Sequence, residues 1–192
     1  WLAEHGATPV VNFRQLQVFR VPGLREPLTC SSYVYDLQGA FGYRNTAIYD
    51  ALGNPCSMSW SIAAFVNLET GRLSRISREV QSKLQFPPRL DMTYGSRKIM
   101  LPEAPLIPLA PFQVRRDDID YNNHVNNAQY IRMALECLPE DFEVSGLRVD
   151  YRKPVMPGST ITPSVAYGAN TAYVVLAVEE SICCVVEFTA RS

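Results

Sequence analysis

A short polar stretch, Asp118-Ile119-Asp120-Tyr121-Asn122-Asn123-His124-Val125-Asn126-Asn127, runs directly into an apolar pattern with helical spacing. It holds two carboxylates, four carboxamides and one of the two histidines of the chain. The first N–H groups of a helix lack intrahelical partners and carry partial positive charge, so they can stabilise a developing oxyanion. A histidine beside them can transfer protons near neutral pH. The alternative is a capped helix with an exposed histidine, because Asn and Asp are favoured N-cap residues.

The order Asp-x-Asp-x-Asn-x-His-Val-Asn-Asn, followed by Tyr130, resembles the signature of acyl-ACP thioesterases. These enzymes hydrolyse the thioester that links a fatty acyl chain to acyl carrier protein (ACP). The likeness covers most of the chain, from about residue 1 to residue 191. In the first half, the segments that are similar to bacterial members are Phe41-Gly42-Tyr43-Arg44-Asn45, Ile48-Tyr49-Asp50, Gly53-Asn54, Ser59-Trp60 and Asn67-Leu68-Glu69-Thr70-Gly71-Arg72.

The resemblance implies that Asp120, Asn122 and His124 are the catalytic residues. We expect His124 to help activate water for attack on the thioester carbonyl. Asn122 would hold the imidazole, the water or the carbonyl, and Asp120 would orient the amide or the imidazole. Backbone N–H groups at the start of the helix would stabilise the oxyanion. For Asn126 and Asn127 we favour capping roles.

One departure from the family concerns the strand that follows the helix. Plant members carry an adjacent Glu and Cys there, whereas this chain has Pro154 and Val155. Asp150 lies nearby, but its direction cannot be read from the sequence, and Cys137 is too far along the helix to pair with His124. We therefore favour direct attack by water over an acyl-enzyme route, with complete loss of activity as the alternative.

The remaining sequence predicts two similar halves, each with four strands after one helix. Because strands alternate apolar and polar residues, each sheet can bury one face against a helix. The resemblance implies an α+β fold, a tandem hotdog in which each unit is an antiparallel sheet wrapped around a central helix. The predicted strands are Val10–Arg20, Leu28–Leu37, Phe41–Asp50, Cys56–Asn67, Phe112–Arg116, Gly146–Lys153, Ser159–Tyr167, Ala172–Glu180 and Cys183–Ala190, with a helix at Asn126–Leu138 and a short helix or irregular segment at Ser74–Gln85.

Three segments are expected along the chain. Residues 1–86 form the first hotdog unit, residues 87–111 a proline-rich linker, and residues 112–192 the second unit with the catalytic motif. The chain begins with what looks like the end of a helix stopping at Gly6. We therefore expect the first unit to lack its opening strand and most of its helix, which would leave an apolar sheet face for something else to cover. His5, near that helix end, is expected to have a structural role.

Composition narrows the class of partner. The net charge of −1 gives no basic field for nucleic acid. The five cysteines are odd in number and lack metal-site spacing, which favours a reducing, cytoplasmic compartment. No apolar run reaches the length of a membrane span. We expect neither cofactor nor metal.

The expected partner is ACP carrying a fatty acyl chain, and a homodimer is left open. ACP is acidic, so a basic region would favour docking; its members are Arg72, Arg75, Arg78, Lys83, Arg97 and Lys98. Two other classes of function remain open. One is an acyl-CoA thioesterase or another hotdog enzyme, and the other is a non-catalytic acyl-binding protein.

Overall fold

The computed structural model describes residues 6–191, which divide into two compact units on either side of the Gly95–Ser96 bond. His5 and the helix expected to end at Gly6 lie outside the described residues. The division falls inside the proline-rich segment 87–111. No helix in the described part of the chain is long and apolar enough to cross a membrane.

Unit 1 contains one antiparallel sheet of four strands in the order β2-β3-β4-β1. All four strands predicted for this half are confirmed, with ends that move by no more than a few residues. Their bounds are β1 Ala7–Val18, β2 Leu28–Gln38, β3 Phe41–Asp50 and β4 Pro55–Asn67.

The core of unit 1 lies on one face of this sheet. Phe13, Trp60 and Ile62 form its buried centre. Met92 and Tyr94 pack against that centre, together with Phe41 and Tyr43 of β3. The segment Leu90–Gly95 therefore packs on the face of the sheet that carries this core, although the sequence predicts it as part of the linker.

Two buried amides hold this covering segment. Gln15 Oε1 accepts hydrogen bonds from Trp60 Nε1 at 2.9 Å and from the Gly95 N–H at 2.8 Å, while Gln15 Nε2 donates to the Thr93 carbonyl at 2.7 Å. Asn45, which is fully buried, accepts from the Leu90 N–H and from the Tyr94 hydroxyl, both at 3.1 Å. Both amides are satisfied, which is the condition for burying them in an apolar core.

The segment Ser74–Gln85 is helical only at its centre. Helix α1 spans Arg78–Ser82, with Ser77 as N-cap, and none of its residues is buried. It is the one helix among residues 6–95.

Unit 2 contains a sheet in the order β7-β10-β9-β8-β5, with β6 paired separately to β8. The predicted strand Phe112–Arg116 is wrong beyond Gln113, because Arg116–Asp118 forms a 3₁₀ turn that leads into the polar motif. The elements are β5 Ile107–Pro108, β6 Phe112–Gln113, α2 Asn127–Leu135, β7 Val144–Tyr151, β8 Thr160–Tyr167, β9 Thr171–Val178 and β10 Ser181–Ala190.

Helix α2 packs on β9 and β10, as a hotdog unit requires. Its buried residues are Tyr130, Met133 and Ala134. The helical spacing of Ile131, Ala134, Leu135 and Leu138 in the sequence predicts that all four are largely buried, but only Ala134 is buried: Leu135 is 42% exposed, and Ile131 and Leu138 are half-buried. The helix stops at Leu135, three residues earlier than predicted, because the chain turns ahead of Pro139.

Candidate active site

The polar motif folds into a tight loop between the 3₁₀ turn and α2. The Asp120 N–H donates to the His124 carbonyl at 2.9 Å, and the Asn123 N–H donates to the Asp120 carbonyl at 3.0 Å. A β-bridge between Ile119 and Val125 closes the base of the loop. Asn123 has φ of 61°, a left-handed conformation that asparagine tolerates better than most residues. The loop therefore has one specified shape, set by its own backbone.

Within the loop, Asp120 orients Asn122. Asp120 Oδ1 accepts the Asn122 N–H at 2.8 Å, and Asp120 Oδ2 lies 3.4 Å from Asn122 Nδ2. Asp120 is half-buried, whereas Asn122 is exposed. Of the two partners considered for Asp120 from the sequence, the amide is the one that it contacts.

His124 is half-buried, and its imidazole makes no hydrogen bond to any residue in the range 6–191. Its backbone is fixed by the bond from Asp120, but its ring is not. Both ring nitrogens are therefore available to a substrate or a water molecule.

A buried carboxylate, Asp118, holds the loop to the helix. Its side chain is only 1% exposed. Oδ1 accepts from Arg132 Nη2 at 2.7 Å and Oδ2 from the Arg115 N–H at 2.8 Å, while the Asp118 carbonyl accepts the Asn126 N–H at 2.8 Å. The sequence reasoning missed Arg132, whose only signal is a cation on the second turn of the helix that follows the motif.

The Pro154–Val155 segment lies against this loop. The Val155 carbonyl accepts the Val125 N–H at 2.9 Å, and the Val155 N–H donates to the Tyr130 hydroxyl at 3.0 Å. Burial raises the pKa of that hydroxyl, and the nearby Asp120 carboxylate adds to the rise. The exposed Pro154 and the buried Val155 are therefore next to the His124 loop.

Asp150 lies on the other face of the sheet. It is paired in register with Val185, which packs with Ile99, and its carboxylate accepts from Arg152 Nε at 2.8 Å. The next residue, Tyr151, is the one that faces α2, where its hydroxyl donates to the Asn127 carbonyl at 3.0 Å. Asp150 is therefore on the opposite face of β7 from Tyr151, which contacts α2.

Cys137 lies beyond the far end of α2. Its thiol donates to the Met133 carbonyl at 3.3 Å, and burial raises its pKa to about 11. A thiol with so high a pKa is a poor nucleophile at neutral pH.

At the start of α2, one backbone N–H group has no hydrogen-bond partner among residues 6–191. Asn126 is the N-cap, as expected, and accepts the Ala128 N–H at 2.9 Å on its side chain and the Gln129 N–H at 2.9 Å on its carbonyl. The N–H groups of Val125 and Asn126 are also bonded. Of the five N–H groups from Val125 to Gln129, only that of Asn127 has no partner in the described part of the chain.

A sheet packed on a single helix, with a polar loop at the helix start, defines a hotdog unit with a candidate hydrolytic site. Residues 108–187 match the model of the acyl-ACP thioesterase C-terminal domain. Among curated proteins, the chloroplastic oleoyl-acyl carrier protein thioesterase 2 of Arabidopsis thaliana is 28% identical over 156 residues, which is 72% of this chain and 41% of that protein. The chain thus spans less than half the length of this relative.

Solved structures show the same fold. An acyl-ACP thioesterase from Bacteroides thetaiotaomicron superimposes with a TM-score of 0.86 at 19% identity, covering 99% of this chain and 79% of that one. A 12:0-ACP thioesterase from Umbellularia californica gives 0.81 at 19% identity, covering 99% and 77%. The tandem hotdog fold is confirmed, and so is the resemblance to acyl-ACP thioesterases.

Proposed function

We propose that this protein hydrolyses the thioester of fatty acyl-ACP and releases a free fatty acid. The observation that carries the proposal is the Asp120–His124 loop, which lies inside the span that matches the thioesterase domain and leads directly into α2. The name of the Arabidopsis relative, an oleoyl-ACP thioesterase, supports the same class of substrate.

His124 is the proton-transfer residue in this proposal. Its imidazole accepts a proton from water as the water oxygen attacks the thioester carbonyl, and the tetrahedral intermediate then collapses with loss of the thiolate. The thiolate takes up the proton, so the products are a fatty acid and the free thiol of the carrier. A thiolate is a fair leaving group, so delivering water and stabilising the oxyanion are the demanding steps.

The neighbours of His124 have supporting roles. The Asn122 amide, which Asp120 holds, binds the attacking water or the carbonyl. The Asn127 N–H, which has no hydrogen-bond partner within residues 6–191, stabilises the oxyanion, where the helix dipole adds to its effect. Direct attack by water is favoured over an acyl-enzyme, because the residue nearest the loop on the neighbouring segment is Val155 and the thiol of Cys137 has a raised pKa.

A panel of acyl-ACP substrates tests this proposal. The protein is incubated with saturated and unsaturated acyl-ACPs of different chain length, and the free acids are identified by mass spectrometry. The same acyl chains on coenzyme A form the matched comparison. Faster turnover of acyl-ACP at equal chain length is expected. Faster turnover of acyl-CoA would assign an acyl-CoA thioesterase, and bound ligand without product would assign an acyl-binding protein.

The homodimer and the cytoplasmic location are further parts of the proposal. Light scattering of the purified protein tests the first. The cytoplasmic location is inferred from the odd number of cysteines, which favours a reducing compartment.

A further inference from the structure

A surface pocket of about 430 Å³ lies beside the candidate catalytic loop in unit 2. Ile119 and Asn123 of the loop form one side, the Pro157–Gly158 turn forms another, and Arg115 and Arg116 line it as well. Asn123 is the residue that immediately precedes His124. The pocket is of the size that small ligands use, and it opens next to the proposed reaction centre.

The charged residues that line the pocket are Arg115 and Arg116. Both arginines are exposed, and neither guanidinium makes an ion pair with a residue in the range 6–191. No Asp or Glu lines the pocket. Asp118, a buried carboxylate in the same loop, is already paired with Arg132 and accepts a hydrogen bond from the N–H of Arg115. Two arginines that line a concave site, and that have no ion pair with a residue in the range 6–191, are well suited to an anion, and the planar donors of a guanidinium match the oxygens of a phosphate.

We propose that this pocket binds the phosphate of the phosphopantetheine arm on which the acyl chain is carried. This inference rests on the proposed function, because it assigns the site for the leaving-group side of the same substrate. The arm ends in a phosphodiester on ACP and in a pyrophosphate on coenzyme A, so the recognised chemistry is shared. Holding that phosphate anchors the arm beside the loop that carries His124, and the pre-ordered arm reacts faster.

The test uses two small substrates that differ only in the phosphate, an acyl-4′-phosphopantetheine and the matching acyl-pantetheine. The wild type is expected to favour the phosphorylated substrate in kcat/KM. In the double variant Arg115→Gln, Arg116→Gln this preference should fall by about tenfold or more, the size expected when charged hydrogen bonds are lost. Arg115→Lys, Arg116→Lys should restore part of the preference because the charge is retained.

Arg152→Gln is the matched control, because it removes one exposed arginine of unit 2 that pairs with Asp150 outside the pocket. The preference in this variant should equal that of the wild type. An unchanged preference in the Arg115/Arg116 double variant would overturn the proposal, as would an equal loss in the Arg152 control. With full substrates, a loss on acyl-ACP identifies the carrier-bound arm as the ligand, and a loss confined to acyl-CoA identifies coenzyme A.

A binding measurement separates failure of this proposal from failure of the proposed function. If the wild type hydrolyses no thioester, the proposed function fails, but 4′-phosphopantetheine itself can still be titrated while amide signals of residues 115–123 and 158 are followed by NMR. Shifts with phosphopantetheine that are weaker with pantetheine and lost in the double variant support the pocket. Equal shifts with both ligands, or none with either, overturn it.

Discussion

At the scale of single residues, the shape of the candidate catalytic loop is held by side chains other than the three that are expected to react. Asp118 is buried and makes one bond to Arg132, one to the Arg115 backbone and one through its carbonyl to Asn126. The motif predicts Asp120, Asn122 and His124 as the catalytic residues, and the structure places all three in one loop. Arg132 and the contact between Tyr130 and Val155 could not be predicted, because each joins positions whose proximity only the folded chain establishes.

Asp118→Asn should lower the free energy of unfolding by about 1–3 kcal/mol, because it removes the charge that Arg132 and the Arg115 N–H bind. The lower part of the range is expected because the Arg132 side chain is 48% exposed, so water can replace part of the lost ion pair. Urea unfolding measures the change. The control is Asp117→Asn, whose side chain is exposed and should change stability by less than about 0.5 kcal/mol. Equal effects of the two substitutions would contradict the anchoring role of Asp118.

The cysteines give a second prediction at this scale. All five are free thiols in the structure, with Cys30 exposed and Cys137 half-buried. Because burial raises the pKa of Cys137 to about 11, little thiolate forms at pH 8, and Cys137 should be alkylated at least about tenfold more slowly than Cys30 in the native protein. Peptide mass spectrometry after timed alkylation measures both rates.

Denaturation without reductant supplies the control for the alkylation experiment. All five thiols should then be modified. A pair that stays unmodified would indicate a disulfide and contradict the expectation of a reducing compartment.

At the scale of elements, helix α2 shows what the apolar pattern could and could not predict. The pattern located the helix and its start within one residue, because Asn126 is a favourable cap and its side chain binds the Ala128 N–H. It did not determine which residues face the sheet. The buried set is Tyr130, Met133 and Ala134, and the Tyr130 hydroxyl accepts the Val155 N–H, whereas Leu135 is 42% exposed. Hydrophobicity alone ranks Leu135 above Tyr130 and so misplaces the buried face.

Asn126→Ala should destabilise the protein by about 1 kcal/mol, the usual result of losing an N-cap. Thermal or urea unfolding measures it. Asn126→Asp is the matched variant, because it retains an accepting oxygen and adds a negative charge at the positive end of the helix. Its stability should equal or exceed that of the wild type. If Asp and Ala were equally destabilising, the bond to the Ala128 N–H would not be the source of the effect.

At the scale of the whole molecule, two units follow one another along the chain, and each is built on an antiparallel sheet. Alternation of apolar and polar residues in the sequence predicted nearly all of their strands. The same reasoning left open what covers the sheet of unit 1. The answer for one face is the segment Leu90–Gly95, which Gln15 and Asn45 hold. Each of these bonds joins two residues that are between 45 and 80 positions apart in the sequence, so no local pattern could reveal them. The prolines of the segment 87–111 indicated only that this segment connects the two units.

Gln15→Ala should release the covering segment of unit 1, because it leaves the Trp60 Nε1 and the Gly95 N–H without their acceptor. Loss of stability by about 1–3 kcal/mol is expected from the unsatisfied buried groups. Hydrogen exchange should show faster exchange at Gly95. Gln17→Ala, on the same strand, is the control and should leave Gly95 protected. Unchanged exchange at Gly95 in Gln15→Ala would contradict the proposed role of this amide.

The central claim is that His124 transfers the proton in thioester hydrolysis, and the turnover of acyl-ACP by His124→Ala tests it most directly. The variant should retain the fold, as judged by circular dichroism, and the binding of a non-hydrolysable acyl-ACP, because the ring makes no hydrogen bond within residues 6–191. Its kcat should fall by about a hundredfold or more, as is typical when a general base is removed. Asn122→Ala should slow the same step. A folded His124→Ala variant with turnover close to that of the wild type would contradict the mechanism.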